Sequence, residues 1–354
     1  MSAKHIVPTF LTLVCALTAQ EGQMPPNPLM KEHELLKRYV GTFDVSGSFK
    51  TPDGEKVSFQ VTEESESTCG GLWTLGRVYG PVAGQPFEGV YVFGFDKYAK
   101  KYVMQWVDGQ STDFASGDYD AKADQLVMHG TMTLPDGTTT KKRRVVKFVD
   151  ADTYTESVMV VGKDGKESEY MTLHAKRAKS AKPAATKVDA SAEVDAKRTP
   201  EQAYLARFLG THPFELTYTS GEGTGTMNGE EVATARCNGN WLVAKVVGDF
   251  GGMPFEGRLI LGHDAETKTW KSYWVDSIAA YLSTSTGGLE ADGKTLKMTG
   301  TGRDMTGRET KNTDVTKWNA DGTRVATMTA VYADDGSPAG SMTITYRTPK
   351  KAEK

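Results

Sequence analysis

One stretch of this chain is written twice. Residues 69–108 and 237–276 align without a gap at an offset of 168, and 16 of the 40 positions are identical. The shared positions include Cys69/Cys237, Gly71/Gly239 and Trp73/Trp241. Pro86-Phe87-Glu88-Gly89 returns as Pro254-Phe255-Glu256-Gly257. Gly94, Asp96, Trp106, Val107 and Asp108 return as Gly262, Asp264, Trp274, Val275 and Asp276. Trp, Gly and Cys are uncommon residues, so chance does not produce this register, and the chain is an internal duplication. Whatever fold the first half adopts, the second must adopt as well.

The repeat divides the 354 residues into two units of roughly 150, each large enough to bury its own core. Net charge is −3 with 25% charged residues, which excludes the basic face a nucleic-acid binder needs. With 37 glycines and many Thr and Val, the chain suits a turn-rich all-β protein. Of the three cysteines, Cys15 lies in the leader, while Cys69 and Cys237 are twins without a CxxC or metal-type neighbour. They read as buried thiols. A bridge between them is not expected, because equivalent points of separate domains would have to meet.

Met1–Ala19 has the pattern of a secretory signal: Lys4 and His5, then a mostly apolar stretch from Ile6 to Leu17, too short to span a bilayer. No later apolar run is long enough to cross, so the expectation is an exported chain, periplasmic or extracellular, without a transmembrane segment. A short helix opens each unit. In the first, Asn27 caps, Pro28 follows, Leu29, Leu35, Leu36 and Tyr39 form the apolar stripe, and Gly41 ends it. In the second, Thr199 caps with Gln202 in a capping box, Tyr204, Leu205 and Phe208 form the stripe, and Gly210 closes. Period-two runs follow near 42–50, 55–65, 72–80, 87–95, 101–108, 112–120, 125–132, 139–149, 153–161 and 167–176, separated by turns such as Pro52-Asp53-Gly54, Pro135-Asp136-Gly137 and Asp164-Gly165. About ten strands in meander order close most readily into an up-and-down antiparallel barrel. The expected organisation is a signal at 1–19, a first barrel at 27–177, an Ala/Lys-rich flexible linker at 178–198, and a second barrel at 199–348.

The units resemble a bacterial family catalogued as a domain of unknown function, whose members carry Leu-x-x-x-x-Gly-x-Trp, a Gly-x-Asp hairpin and Trp-x-Asp. Here the motifs read Leu36 to Gly41-Thr42-Phe43 and Leu205 to Gly210-Thr211-His212, both without the opening Trp. The later motifs are closer: Gly94-Phe95-Asp96 with Trp106-Val107-Asp108, and Gly262-His263-Asp264 with Trp274-Val275-Asp276. That family is distantly similar to the calycins, the lipocalin-like barrels, in which a basic residue near the chain end packs over the opening aromatic. The resemblance gives that part to Lys176 or Arg177, and to Arg347. It brings a fold and no established activity.

Candidate chemistry is sparse. Asp96 and Asp264 fall in hairpin loops, where an Asp bonds backbone N–H groups. Trp106 and Asp108, like Trp274 and Asp276, are two apart on one strand and share a face, with Glu88 and Glu256 one strand away. A carboxylate beside a Trp inside a barrel can act as acid or base; the blander role is a rim carboxylate bonded to backbone. The histidines, among them His33, His129, His174, His212 and His263, do not cluster, and no HxH or HExxH spacing occurs, so no metal is expected. Haem through His174 is the one cofactor that likeness to distant lipocalin-like barrels admits. Phe87, Tyr91, Phe93, Tyr102 and Trp106, with Phe255, Trp270 and Trp274 in the other copy, either line a ligand cavity or fill the barrel.

The leading expectation is therefore binding of a small, partly apolar molecule inside a barrel, with Glu88, Tyr91, Trp106, Asp108, Glu256, Trp274 and Asp276 as candidate ligand-binding residues. A hydrolase or lyase using the Glu88/Asp108 and Glu256/Asp276 carboxylates, and a structural or interaction module, are the alternatives. The sequence leaves the oligomeric state open.

Overall fold

The structure, a computed structural model, describes residues 29–347 with the exception of 52, 134–138, 163–164, 180–197, 221–222, 251 and 305. Ten strands make the first barrel: β1 (Gly41–Lys50), β2 (Lys56–Thr68), β3 (Trp73–Val82), β4 (Gln85–Asp96), β5 (Lys101–Asp108), β6 (Thr112–Asp120), β7 (Gln125–Thr133), β8 (Thr139–Phe148), β9 (Thr153–Val161) and β10 (Glu167–Arg177). Ten more make the second: β11 (Gly210–Ser220), β12 (Gly223–Arg236), β13 (Trp241–Phe250), β14 (Met253–Asp264), β15 (Thr269–Asp276), β16 (Ser283–Leu289), β17 (Thr295–Arg303), β18 (Glu309–Trp318), β19 (Arg324–Tyr332) and β20 (Pro338–Tyr346). Each strand pairs antiparallel with its neighbours in sequence. β1 pairs with β2 and β10, and β11 with β12 and β20, so both sheets close and neither leaves an edge. The two tandem up-and-down barrels expected from the meander pattern are what forms.

Most strands alternate, as a half-buried strand must. On β9, Tyr154, Glu156 and Val158 are buried and face inward. β4 breaks the rule: Gly89 through Phe95 are all buried. A strand buried on both faces reads as a continuous apolar run, and its outer face here is covered by the other barrel.

The helices depart from expectation. The first is a 3₁₀ helix, Lys31–Arg38, and only the second, Pro200–Ala206, is α-helical. The reason lies in spacing. His33, Leu36 and Tyr39 are the deepest residues of the first segment, and an interval of three brings side chains into line in a 3₁₀ helix rather than an α-helix. His33 also closes the turn, its Nδ1 accepting the Met30 N–H at 2.8 Å. Leu29, expected in the apolar stripe, is 42% exposed, and Asn27 and Pro28 lie outside the described residues. The second helix forms its capping box as expected: Gln202 N–H donates to Thr199 Oγ1 at 3.2 Å and Thr199 N–H to Gln202 Oε1 at 3.1 Å.

Both segments plug one end of a barrel. Leu35, Leu36 and Tyr39 pack among Phe43, Phe93, Phe148 and Tyr154. Tyr204, Leu205 and Phe208 pack among Leu242, Leu261, Trp270 and Trp318. Arg177 lies over the Phe43 ring at 4.6 Å and donates to Val40 O at 2.6 Å, as the resemblance implied. Arg347 does not repeat this. It is exposed and paired with Glu215, and the guanidinium in the second core is that of Arg324, 3.5 Å from the Tyr346 ring centroid and 4.5 Å from that of Phe208. The expected leader at 1–19 with Cys15, most of the expected linker and the basic tail lie outside the described residues.

Candidate functional site

The repeated motifs come together at the seam between the barrels. One apolar cluster contains Cys69, Trp73, Val90, Val92, Val103 and Val107 from the first unit and Cys237, Trp241, Val243, Ile260, Tyr273 and Val275 from the second. Cys69 Sγ donates to Val275 O at 3.8 Å, and Cys237 Sγ donates to Val107 O at 3.8 Å. Residue i of one unit meets residue j of the other, and j meets i. This is the self-complementary contact of a twofold dimer, formed inside one chain. The two units thus pack against each other, with each cysteine meeting a valine of the other copy. The cysteines are nevertheless free. Each begins a tight turn, Cys69–Gly71 or Cys237–Gly239, whose successive residues all have positive φ. Burial pushes the Cys69 thiol up to about 12 and that of Cys237 further.

Glu88 and Glu256 belong to this seam. Glu88 accepts from the Cys237 N–H at 2.6 Å and from Arg77 Nε at 2.5 Å. Glu256 accepts from Thr68 Oγ1 at 2.6 Å and lies 3.1 Å from Arg258 Nη2, which also reaches Glu66 at 2.8 Å. Trp241 Nε1 donates across the seam to Asp108 O at 2.8 Å, whereas its twin Trp73 has no partner for its buried Nε1.

Asp108 and Asp276 occupy the inner side. On the β4–β5 ladder Gly89 stands opposite Asp108 and Tyr91 opposite Trp106, so Asp108 shares the inward face of Gly89, and Glu88 faces outward. The Glu88/Asp108 pair expected to converge is thus split by the sheet. The Glu256/Asp276 pair is split likewise, because Gly257 stands opposite Asp276. The cause is the one-residue parity of a strand, which sends neighbours to opposite faces. Each Asp has a local task. Asp108 Oδ2 accepts Trp106 Nε1 at 2.8 Å, and Oδ1 accepts the N–H groups of Gln110 and Ser111, both at 2.7 Å. Asp276 does the same with Trp274 Nε1 at 2.9 Å and the N–H groups of Ile278 and Ala279, and burial raises its carboxyl above the usual range. Trp-x-Asp is therefore a strand end that ties its own indole to its own turn. The glycines complete the motif. A Cβ on Gly89 would stand 2.1 Å from Trp106, and one on Gly257 2.3 Å from Trp274. Phe87 and Phe255 stack on the same rings at centroid distances of 6.3 Å.

Asp96 and Asp264 hold hairpin loops, as expected: Asp96 Oδ1 accepts the N–H groups of Tyr98 and Ala99 at 2.9 Å, and Asp264 Oδ1 those of Glu266 and Thr267. Asp264 also pairs with Lys271. His174 sits on the exposed outer face of β10, so it cannot hold haem within the barrel. Among the described residues no group of three or more His, Cys, Asp or Glu is placed to hold a metal ion.

The inward charges of the first barrel went unnoticed in the sequence. Lys142 pairs with Asp113, and Arg144 Nε lies 2.7 Å from Glu156 Oε1. Deeper in, Glu63 accepts from Tyr91 O–H at 2.5 Å and from Tyr154 O–H. Desolvation raises the Glu63 carboxyl, although both tyrosine bonds oppose it. Tyr91, an expected ligand-binding residue, thus donates its hydroxyl to Glu63. The signal was available: Val146 and Phe148 are core residues, and Lys142 and Arg144 share their parity on β8. The second barrel keeps one of these acids. Glu231, opposite His212 as Glu63 is opposite Phe43, pairs with Arg324 at 2.6 Å. By register, Asn312 and Asp314 stand where Lys142 and Arg144 do, while Ser283 and Ala326 replace Asp113 and Glu156.

Toward the end away from the helix, the first barrel opens past half-buried inward side chains: Phe59, Val82, Phe87, Trp106 and Leu173. A shallow open groove of about 650 Å³ lies beside this mouth, lined by Ser46, Gly47, Ser58, Phe59, Gln60, Pro81, Ala83 and Gly84.

The fold and motifs agree with comparison. The model of a family described as "Protein of unknown function (DUF1579)" matches residues 29–177 and again 197–348. The chain belongs to that family, in two tandem copies. No curated protein matches it. Among solved structures it is similar to Rv2717c from M. tuberculosis, with 13% identity over 42% of this chain and 99% of that one, at a TM-score of 0.34. It is also similar to a protein of unknown function from the DUF3598 family of Nostoc punctiforme, with 11% identity over 91% of this chain and all of that one, at a TM-score of 0.22.

Proposed function

We propose that this is an exported, lipocalin-like protein that binds a small, partly apolar molecule in the mouth of its first barrel. The second barrel acts as its permanent structural partner. One observation carries the reading: the first barrel sets Asp113, Lys142, Arg144 and Glu156 in two ion pairs beneath an aromatic mouth, and the second barrel has none of the four at the matching positions. Buried charges weaken a core unless they are paired, and even paired ones are no more stabilising than apolar filler. The second barrel closes without this cluster and has one buried pair of its own, Glu231 with Arg324, so the fold does not require the cluster. An apolar rim above a few fixed polar groups is the usual composition of a small-molecule site. Export rests on the Met1–Ala19 pattern; the N-terminal sequence of protein recovered from cell fractions tests it.

The binding test uses the intact chain and the neutral fluorescent probe N-phenyl-1-naphthylamine. Saturable binding at one probe per chain is expected. Leu173→Trp, which fills the first mouth, abolishes it, and Ile344→Trp at the corresponding place in the second barrel leaves it unchanged. Non-saturable binding, or loss with Ile344→Trp alone, refutes the assignment.

A further inference from the structure

We infer that Lys142 is a covalent anchor: its amine condenses with the carbonyl of a neutral apolar aldehyde or ketone bound in the first barrel. This rests on the binding site proposed above and names the ligand class. The geometry begins with a gap. Met104, Ala115, Gly130 and Lys142 occupy successive cross-strand positions from β5 to β8. Ala115 and Gly130 are small, and Gly130 admits no Cβ, which would fall 2.0 Å from Phe114 O. The Lys142 chain lies over this low ground from β8 and meets Asp113 on β6. Asp113 is in turn directly opposite Trp106, at the mouth. The lysine head is 2% exposed and Asp113 18%, so the pair is the floor of the mouth.

Charge selects the ligand. Two cations and two carboxylates cancel within the group, so an ionic ligand would leave a net charge in a desolvated site. A neutral carbonyl does not. Asp113 Oδ1 is buried and has no hydrogen-bond partner, which leaves it free to take and return a proton. In the reaction the ammonium gives a proton to Asp113. The free amine then adds to the carbonyl carbon, forming a C–N bond and a carbinolamine. Asp113 returns the proton to the carbinolamine hydroxyl, the C–O bond breaks, and water leaves. Lys142 then holds a protonated imine, which keeps a positive charge beside Asp113. No oxidant or further reactant enters. Burial and the neighbouring Arg144 pull the Lys142 amine down, against the opposing pull of Glu156, and Asp113 is in place to take the proton that an amine nucleophile must shed.

The test treats the full chain with trans-cinnamaldehyde and sodium cyanoborohydride at neutral pH, then maps the reduced adducts by peptide mass spectrometry. One adduct per chain is expected, at Lys142. It should form on the order of 10²-fold faster than on exposed lysines, whose amines are free in roughly one part in 10³ near neutral pH. Its rate should level off at a lower pH than theirs, which keeps climbing. Lys142→Met removes the adduct, and Lys142→Arg, which keeps a cation beside Asp113 but has no amine able to condense, removes it as well. Unlabelled Lys142 in wild-type protein that still binds N-phenyl-1-naphthylamine overturns the anchor and spares the binding site. Failure of the probe to bind overturns both.

Discussion

Glu63 and Glu231 occupy the same place in the two barrels, and opposite consequences follow from replacing each by Gln. Glu231 is 2% exposed and Arg324 1%, and their side chains pair at 2.6 Å. Glu231→Gln leaves the guanidinium buried without its anion. Removing one partner of a buried pair costs about 3–5 kcal/mol. The rings of Tyr346, Phe208 and Trp318 lie within 5.5 Å and offset part of this through cation–π attraction of about 1–2 kcal/mol. A net loss of about 3 kcal/mol is expected, equivalent to roughly 6–12 °C in the melting of a unit this size. Glu63 instead faces two tyrosine hydroxyls. Glu63→Gln keeps an acceptor for one of them and makes the other contact an amide N–H donating to the tyrosine oxygen, and should cost about 1 kcal/mol at neutral pH. The pH dependence follows from the raised Glu63 carboxyl. A carboxylic acid whose folded pKa exceeds its unfolded one contributes stability that is fully present below the unfolded value, about 4.3 for Glu, and is lost as pH rises through the folded one. Glu63→Gln should flatten that slope. Urea unfolding from pH 4 to 8, with hydrogen exchange to locate the loosened barrel, measures both. Equal losses in the two variants, or a loss under about 1 kcal/mol for Glu231→Gln, refute the assignment of an ion pair to Glu231 and of tyrosine hydrogen bonds to Glu63.

Gly89→Ala and Gly257→Ala must displace Trp106 and Trp274, since the added methyl would stand 2.1 Å and 2.3 Å from those rings; each should cost about 1–3 kcal/mol and alter the near-ultraviolet circular dichroism. Glu88→Ala strands the Cys237 N–H and Arg77 at the seam, a loss of about 1–3 kcal/mol. It should also speed labelling of Cys69 and Cys237 by a thiol reagent, which in the wild type is slow because both thiols are buried and protonated; unchanged labelling kinetics would contradict the clamp. Asp108→Asn keeps an acceptor for the Gln110 and Ser111 N–H groups but turns an amide NH2 toward Trp106 Nε1, a loss of about 1–3 kcal/mol, against a larger loss for Asp108→Ala in the same denaturation assay.

The strands were legible because period-two burial and Gly-rich turns leave little freedom, and the observed β5, β6 and β9 match the expected windows at both ends. Parity was the weak point. The alternative of a Glu88/Asp108 acid–base pair needs both carboxylates on one face. Their separation depends on which residue stands opposite which, and that register is a long-range property of the hairpin. The seam had a local trace in the unbroken run Val90-Tyr91-Val92-Phe93, since a strand with one wet face would alternate. The 3₁₀ opening segment was missed because its stripe was measured against 3.6 residues per turn. Lys142 and Arg144 were overlooked because charged residues beside Arg143 look like a solvated face until the parity of Val146 is followed back.

A surface that always finds its mate on the same polypeptide no longer depends on how much protein a cell makes. Fusion holds the two faces at high effective concentration, so the seam needs no second gene product and cannot be left half-assembled. Mutations at its centre are then judged twice, once in each copy, and Cys, Trp and the Pro-Phe-Glu-Gly run persist in both. The linings are under no such double scrutiny. One copy carries Lys142 where the other carries Asn312, like two joined rooms furnished differently on either side of a shared wall.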